Sequence, residues 1–263
     1  MLGKVLKYDL KWTYKILIVF YILSIITAIL ARICMNVENS MLFTVLGSIL
    51  NGTMIAMLVN GLVNCLIRSW VRFSTNIYKD ESYLTHTLPI KKSTIYVSKV
   101  LMAMICSFTT VLLSLLCLFI YYYTKDNLEG LKTFLKLEAD SYDVTIFVLL
   151  LTISIVIFLE LLFITLIGYD AIIIGQRSNK GKMVKTFIWG IGLYFGTSSL
   201  TLALVYIVGL FNKGVMNVIN TTEIVNASAI KSIMIIGIII YLVYNIIYYI
   251  IGNLLFKKGV NVD

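Results

Sequence analysis

Long apolar runs recur along the whole chain with only short polar breaks between them. A bilayer core about 30 Å thick takes roughly 20 apolar residues per helical span. In lipid each segment must satisfy its own backbone polar groups, so such runs predict transmembrane helices. Of 263 residues, 60% are hydrophobic and 13% charged, and a soluble domain of this size could not hide that much apolar surface. Six spans fit the pattern, at about 16–35, 41–67, 97–123, 144–174, 186–211 and 233–256. Residues 1–263 therefore read as a single all-α transmembrane domain. The first run follows lysines, as a signal peptide would. It is too long for an h-region, and Ala31-Arg32-Ile33 lacks the small-x-small cleavage pattern, so it reads as retained.

The basic residues are a topological signal. Sixteen lysines and arginines fall on one side of the span layout, at the N-terminus, at 68–99, at 177–185 and at Lys257 and Lys258; six fall on the other. The positive-inside bias then places both termini in the cytoplasm, in a multi-pass protein of the cell membrane. Once orientation explains the net charge of +9, no basic surface is left that would call for a nucleic acid partner. The external segment 124–143 is acidic, with Asp126, Glu129, Glu138, Asp140 and Asp143. Sequons begin at Asn220 and Asn226, but a composition rich in Ile, Lys and Asn is bacterial in character and argues against glycosylation. Cys34, Cys65, Cys106 and Cys117 show neither CxxC pairing nor a histidine cluster, and read as small core residues.

Residues 1–15 carry a second periodicity. At about 100° per residue, Lys4, Lys7, Lys11 and Lys15 share one narrow arc, opposite Leu2, Val5, Leu6 and Leu10. This pattern predicts an amphipathic helix in the inner membrane interface, against the plainer reading of a solvated leader.

The longest interior segment, 78–93, joins the second and third spans. Asp80 and Glu81 suit the positive end of a helix dipole, and Leu84 and Leu88 share a face at i and i+4. Pro89 stops the helix by disfavouring helical geometry at Leu88 and removing a donor. Lys91 and Lys92 mark the return to the membrane, and Ser93 or Thr94 is placed to cap the third span.

Asp80, Glu81, Tyr83, Leu84, Thr87, Leu88, Pro89, Ile90, Lys91 and Lys92, followed by Ser98-Lys99 at the third span, form a pattern that resembles the small ABC-2 type transporter permeases of Gram-positive bacteria. The resemblance extends to the basic leader, the six spans and the length. Lys91 stands where many relatives have a small polar residue. The resemblance implies a coupling helix that includes His86 and docks on separate cytosolic ABC ATPase subunits. It implies ATP and Mg on those subunits, no cofactor on this chain, and a second permease copy or a homologous permease beside it in membrane lipid. It also implies export, with amphipathic peptides, antibiotics or lipids as cargo. The plainer reading of 78–93 is a charged loop held near headgroups.

An enzyme reading fails on inventory. His86 is the one histidine, so neither a Ser-His dyad within the membrane nor a multi-histidine metal site can be assembled. Residues 175–182 mimic a phosphate loop, but the spacing is one residue too long and Met183 replaces the Ser or Thr. Glu160 and Asp170 lie in the fourth span, where a charge is costly enough to be a functional candidate; a protonated or hydrogen-bonded side chain is the alternative. Asn60, Asn64 and Arg68 make an i, i+4, i+8 stripe that reads as a substrate path or as helix glue. Gly192 and Gly196 form a G-x-x-x-G that permits close helix packing, and Tyr121, Tyr122, Tyr123, Tyr248 and Tyr249 read as interfacial anchors. The competing functions are an ion-coupled secondary transporter working through Glu160 and Asp170, and a structural or immunity protein with no transport cycle.

Overall fold

The structure is a computed structural model that describes residues 2–37, 40–122, 133, 146–212, 215–216 and 227–258. The segment 124–143 apart from Thr133, Tyr123, and the sequon asparagines Asn220 and Asn226 lie outside the described residues. The main elements are α1 (Leu2–Met35), α2 (Met41–Tyr78), α3 (Ser82–Thr87), α4 (Lys92–Tyr122), α5 (Ile146–Gln176), α6 (Lys182–Phe211) and α7 (Ala227–Lys257), and no strand occurs among the described residues. Six of them, all but α3, are long and apolar enough to cross a membrane. The helices group into two compact units, Met1–Leu131 with α1 to α4 and Lys132–Asp263 with α5 to α7.

Several helices outrun the spans expected from hydropathy. α2 continues to Tyr78 and α4 already begins at Lys92. Apolar length marks where lipid ends, whereas the helical hydrogen-bond ladder continues into the interface, where charge is cheap. Ser93 and Thr94 accordingly lie in the first turn of α4 and do not cap it; the Thr94 amide donates to the carbonyl of Lys91 at 2.8 Å. The basic leader is likewise continuous with the first span. α1 is one helix of 34 residues, about 51 Å long, with no proline and with its only early glycine at Gly3. Residues 2–15 are thus the first turns of the same rod and do not form a helix set across it. Their lysine arc is exposed, and Leu6 and Leu10 pack toward the bundle.

In the first unit, α1 buries a single stripe, Asp9, Thr13, Leu17, Tyr21, Ser24, Ala28 and Ala31, whose spacing of three and four residues is one helical face. Its small residues allow close approach to α2 and α4. Ala28 and Ala31 meet Met54, Leu58, Cys117 and Tyr121; Leu17 and Tyr21 meet Cys65, Met102 and Cys106. Cys65, Cys106 and Cys117 are core residues and Cys34 is half-buried, all as free thiols. Buried hydroxyl pairs tie the helices together, Tyr14 to Thr109 and Tyr21 to Thr110, each at 2.6 Å. At the far end of α1, the Arg32 guanidinium donates to the Ile120 carbonyl at 2.9 Å, where the last turn of α4 has free acceptors.

In the second unit, α5 is the central helix, buried along Leu159–Ile173, while α6 buries only Gly209. Phe163 of α5 sits among three tyrosines of α7, with ring centroids 5.6 Å from Tyr241, 5.6 Å from Tyr244 and 5.8 Å from Tyr248. Tyr248 is thereby a core residue and not an interfacial anchor, as is Tyr121 in the first unit. The phosphate-loop mimic is the α5–α6 turn. Gly181 has φ +66°, a left-handed value that glycine adopts without strain, and a Cβ on Gly175 would stand 2.6 Å from the Thr186 backbone. Among the described residues the G-x-x-x-G glycines meet nothing: a Cβ on Gly192 or Gly196 has no atom within 4 Å. Gly175→Ala is therefore expected to destabilise the second unit by roughly 1–3 kcal/mol through forced separation of α5 and α6. Gly192→Ala and Gly196→Ala should be neutral or slightly stabilising. Thermal unfolding of the three detergent-solubilised variants checks this, and equal effects at all three would refute it.

Candidate functional site

Where α3 meets the basic ends of α1, α2 and α4, the first unit contains a closed network of charges. Asp9 of α1 is 1% exposed. Its Oδ1 accepts from Arg72 Nε of α2 at 2.8 Å and from Lys99 Nζ of α4 at 2.6 Å. Its Oδ2 accepts from the Ser98 hydroxyl at 3.2 Å. Lys99, wholly buried, also donates to Asn76 Oδ1 at 2.6 Å. Arg72 turns its other edge to Glu81, with Nη1 at 2.9 and 2.8 Å from the two carboxylate oxygens, and Asn76 Nδ2 reaches the same carboxylate at 2.9 Å. Two acids thus face two bases, and the polar side chains around them complete the hydrogen bonding. This is the condition under which ions tolerate burial.

Arginine is suited to the central position, because its planar fork serves two carboxylates at once, which an ammonium does less well. Trp12 covers the outer flank. The Arg68 guanidinium lies 3.7 Å from its ring centroid and that of Arg72 lies 5.3 Å away. One turn along α1, the Thr13 hydroxyl donates to the Asp9 backbone carbonyl at 3.0 Å.

On this base stands α3. Glu81 is its N-cap residue, yet its carboxylate makes no capping bond and goes to Arg72 and Asn76 instead. The Glu81 carbonyl accepts from the Thr85 hydroxyl at 3.0 Å. His86 is half-buried and fastens α3 to the end of α2, its Nε2 lying 3.1 Å from the Ile77 carbonyl. Leu88 is extended, at φ −66° and ψ 136°, as the following proline requires. The apolar side chains point away from the protein: Tyr83 is 77% exposed, Leu84 67% and Leu88 47%. Lys79, Asp80, Thr87, Pro89, Lys91 and Lys92 are exposed around them.

The other candidates are dispersed. Asn60 is exposed and Asn64 half-buried, and their amides donate along their own helix to Ala56 and Asn60 carbonyls at 2.8 and 2.9 Å. Glu160 and Asp170 belong to the second unit; Glu160 is half-buried and Asp170 is 1% exposed. No family model, curated protein or solved structure matches the chain.

Removing one member of the network leaves another charge buried without its partner. Asp9→Asn and Lys99→Met are each expected to cost roughly 3–5 kcal/mol. The pair Asp9→Asn/Lys99→Met keeps the Arg72–Glu81 bond and should cost less than the two single changes combined, by about 0.5–3 kcal/mol. Unfolding in mixed micelles, followed by tryptophan fluorescence, gives all three values. Additive costs would mean that the charges act independently.

Proposed function

We propose that the chain is the permease subunit of an ABC-2 type exporter, with ATP and Mg held by a separate cytosolic subunit that docks on α3. The observation that carries this reading is the pairing of an outward apolar ridge, Tyr83, Leu84 and Leu88, with a charge-locked base at Glu81. A docking element needs exposed apolar anchors, flanking charges that set register, and a rigid connection to what it moves. Here the connection runs from Glu81 through Arg72 and Asp9 to Lys99, and so reaches three membrane-length helices. The basic end of the bundle is then cytoplasmic, and a second permease, identical or homologous, completes the transporter in the cell membrane. Amphipathic peptides, antibiotics or lipids follow as cargo from the resemblance.

The alternative, a secondary transporter relaying protons between Glu160 and Asp170, is less well supported. The two acids stand about 15 Å apart along α5, and Glu160 does not line the pocket beside Asp170.

Tyr83 and Leu84 project from the protein, so changing them tests docking without disturbing the charge network. The full-length chain with Tyr83→Asp/Leu84→Asp, co-expressed with the ABC ATP-binding subunits of the same genome, is expected to reach the membrane at the wild-type level. It should lose more than about tenfold in association with those subunits, as hot-spot changes do. ATP turnover in the purified complex should fall in parallel. A wild-type chain that purifies with no ATPase, or a variant that keeps both association and turnover, overturns the proposal.

A further inference from the structure

Asp170 is the second deeply buried carboxylate in the described structure, and its surroundings are the reverse of those of Asp9. It lies on α5 with 1% exposure, between Tyr169 and Ala171, both also buried. Among the described residues, neither of its oxygens has a hydrogen-bond partner, and the ion pairs formed are those of Asp9 and Glu81. Burying a carboxylate in an apolar bundle without a partner is strongly unfavourable, and such a group is retained where something outside the bundle offsets the cost. A leucine would fill the position without that penalty, and an asparagine with a smaller one.

Asp170 also borders an open space. Asp170 lines a pocket of about 250 Å³ formed by α5, α6 and α7 within the second unit. Thr197, Tyr244 and Tyr248 contribute to the wall, and the remainder is aliphatic, including Leu193 and Ile247. Tyr244 and Tyr248 are held in place by their packing on Phe163. Two of the three hydroxyls have partners: Thr197 donates to the Leu193 carbonyl at 2.5 Å, and the Tyr244 oxygen accepts from Thr201 at 3.1 Å. A hard metal ion such as calcium takes six to eight oxygen ligands, and this wall has little beyond one carboxylate to offer. An organic cation needs less, namely one anion for its charge, aromatic faces that attract it and apolar surface for its body.

The contrast with the pocket of the first unit supports this reading. That pocket, about 360 Å³, borders Asp9, Arg72 and Asn76, all of which are satisfied within the charge network, Asn76 through Glu81 and Lys99. A ligand there would have to compete with existing bonds. At Asp170 it would supply the missing one.

We propose that the Asp170 pocket is a binding site for a small lipophilic organic monocation, a quaternary or protonated alkylamine whose charge meets the carboxylate and whose body packs on Tyr244, Tyr248 and Leu193. The proposal goes beyond the docking role of α3 and does not depend on it, because binding is measured on this chain alone.

The probe is radiolabelled benzyltrimethylammonium, titrated into the purified full-length chain in nanodiscs of uncharged lipid. The wild type is expected to show one saturable site per chain and a higher unfolding temperature with the probe bound. Asp170→Asn keeps the shape and removes the charge, so it should fold at least as well and lose affinity by more than tenfold. Leu193→Trp fills the pocket without touching the charge and should reduce binding by a similar factor. Three results would each overturn the proposal: no saturable binding by the wild type, unchanged affinity in Asp170→Asn, or displacement of the probe by stoichiometric sodium or potassium. None of them bears on whether an ATPase docks at α3.

Discussion

A carboxylate taken almost wholly out of water is tolerated only while its cationic partners stay in place, and Asp9, held between Arg72 and Lys99, imposes that condition on three helices at once. Each helix brings something the others lack: α1 an acid, α2 a guanidinium and an amide, α4 an ammonium and a hydroxyl. Sliding or rotating any of them would expose a charge to an apolar neighbour. The helix faces above the network mix Ala28, Ala31 and cysteines with larger residues such as Leu17, Met54 and Met102, and the network joins the Tyr14–Thr109 and Tyr21–Thr110 bonds in selecting one register.

The same geometry makes α3 part of the bundle. Arg72 bonds Asp9 with one nitrogen and Glu81 with another, so a single rigid guanidinium joins the buried acid to the partly exposed one. His86 adds a second attachment on the far side of the turn, at the Ile77 carbonyl. A force applied to Tyr83 or Leu84 therefore reaches α1 and α4 through short charge-assisted bonds and does not dissipate in a flexible loop. Packed charge networks of this kind rearrange between discrete arrangements and resist continuous bending, which suits the docking role proposed for α3.

The span layout is legible in the sequence because lipid imposes a length and a composition on any helix that crosses it. The stop at Leu88–Pro89 is legible for an equally local reason, the steric demand of proline on the residue before it. The charge network is not local, and its members look ordinary one at a time. Arg72 and Lys99 pass as topological charges, and Glu81 as a helix-dipole residue. The overlooked signal is Asp9, an acid at the centre of the apolar arc formed by Leu2, Val5, Leu6 and Leu10, where a charge requires a partner from another helix. The aromatic cluster around Phe163 was hidden for a similar reason. Tyrosine is common at membrane interfaces, and only the packing of α5 on α7 distinguishes an anchor from a core ring.

Asp9 and Asp170 together show how two equally buried acids come to serve different ends. Around Asp9 the chain supplies each compensating group itself, so the charge specifies structure. Around Asp170 the neighbouring side chains are apolar or already bonded, and the residue itself lines an open pocket. Selection for stability alone would remove such a group, because the desolvation cost brings nothing in return within the protein. Its presence is explained if the return comes from a molecule that enters the pocket, and the tyrosine faces and aliphatic wall favour a soft, weakly hydrated cation over a strongly hydrated metal ion.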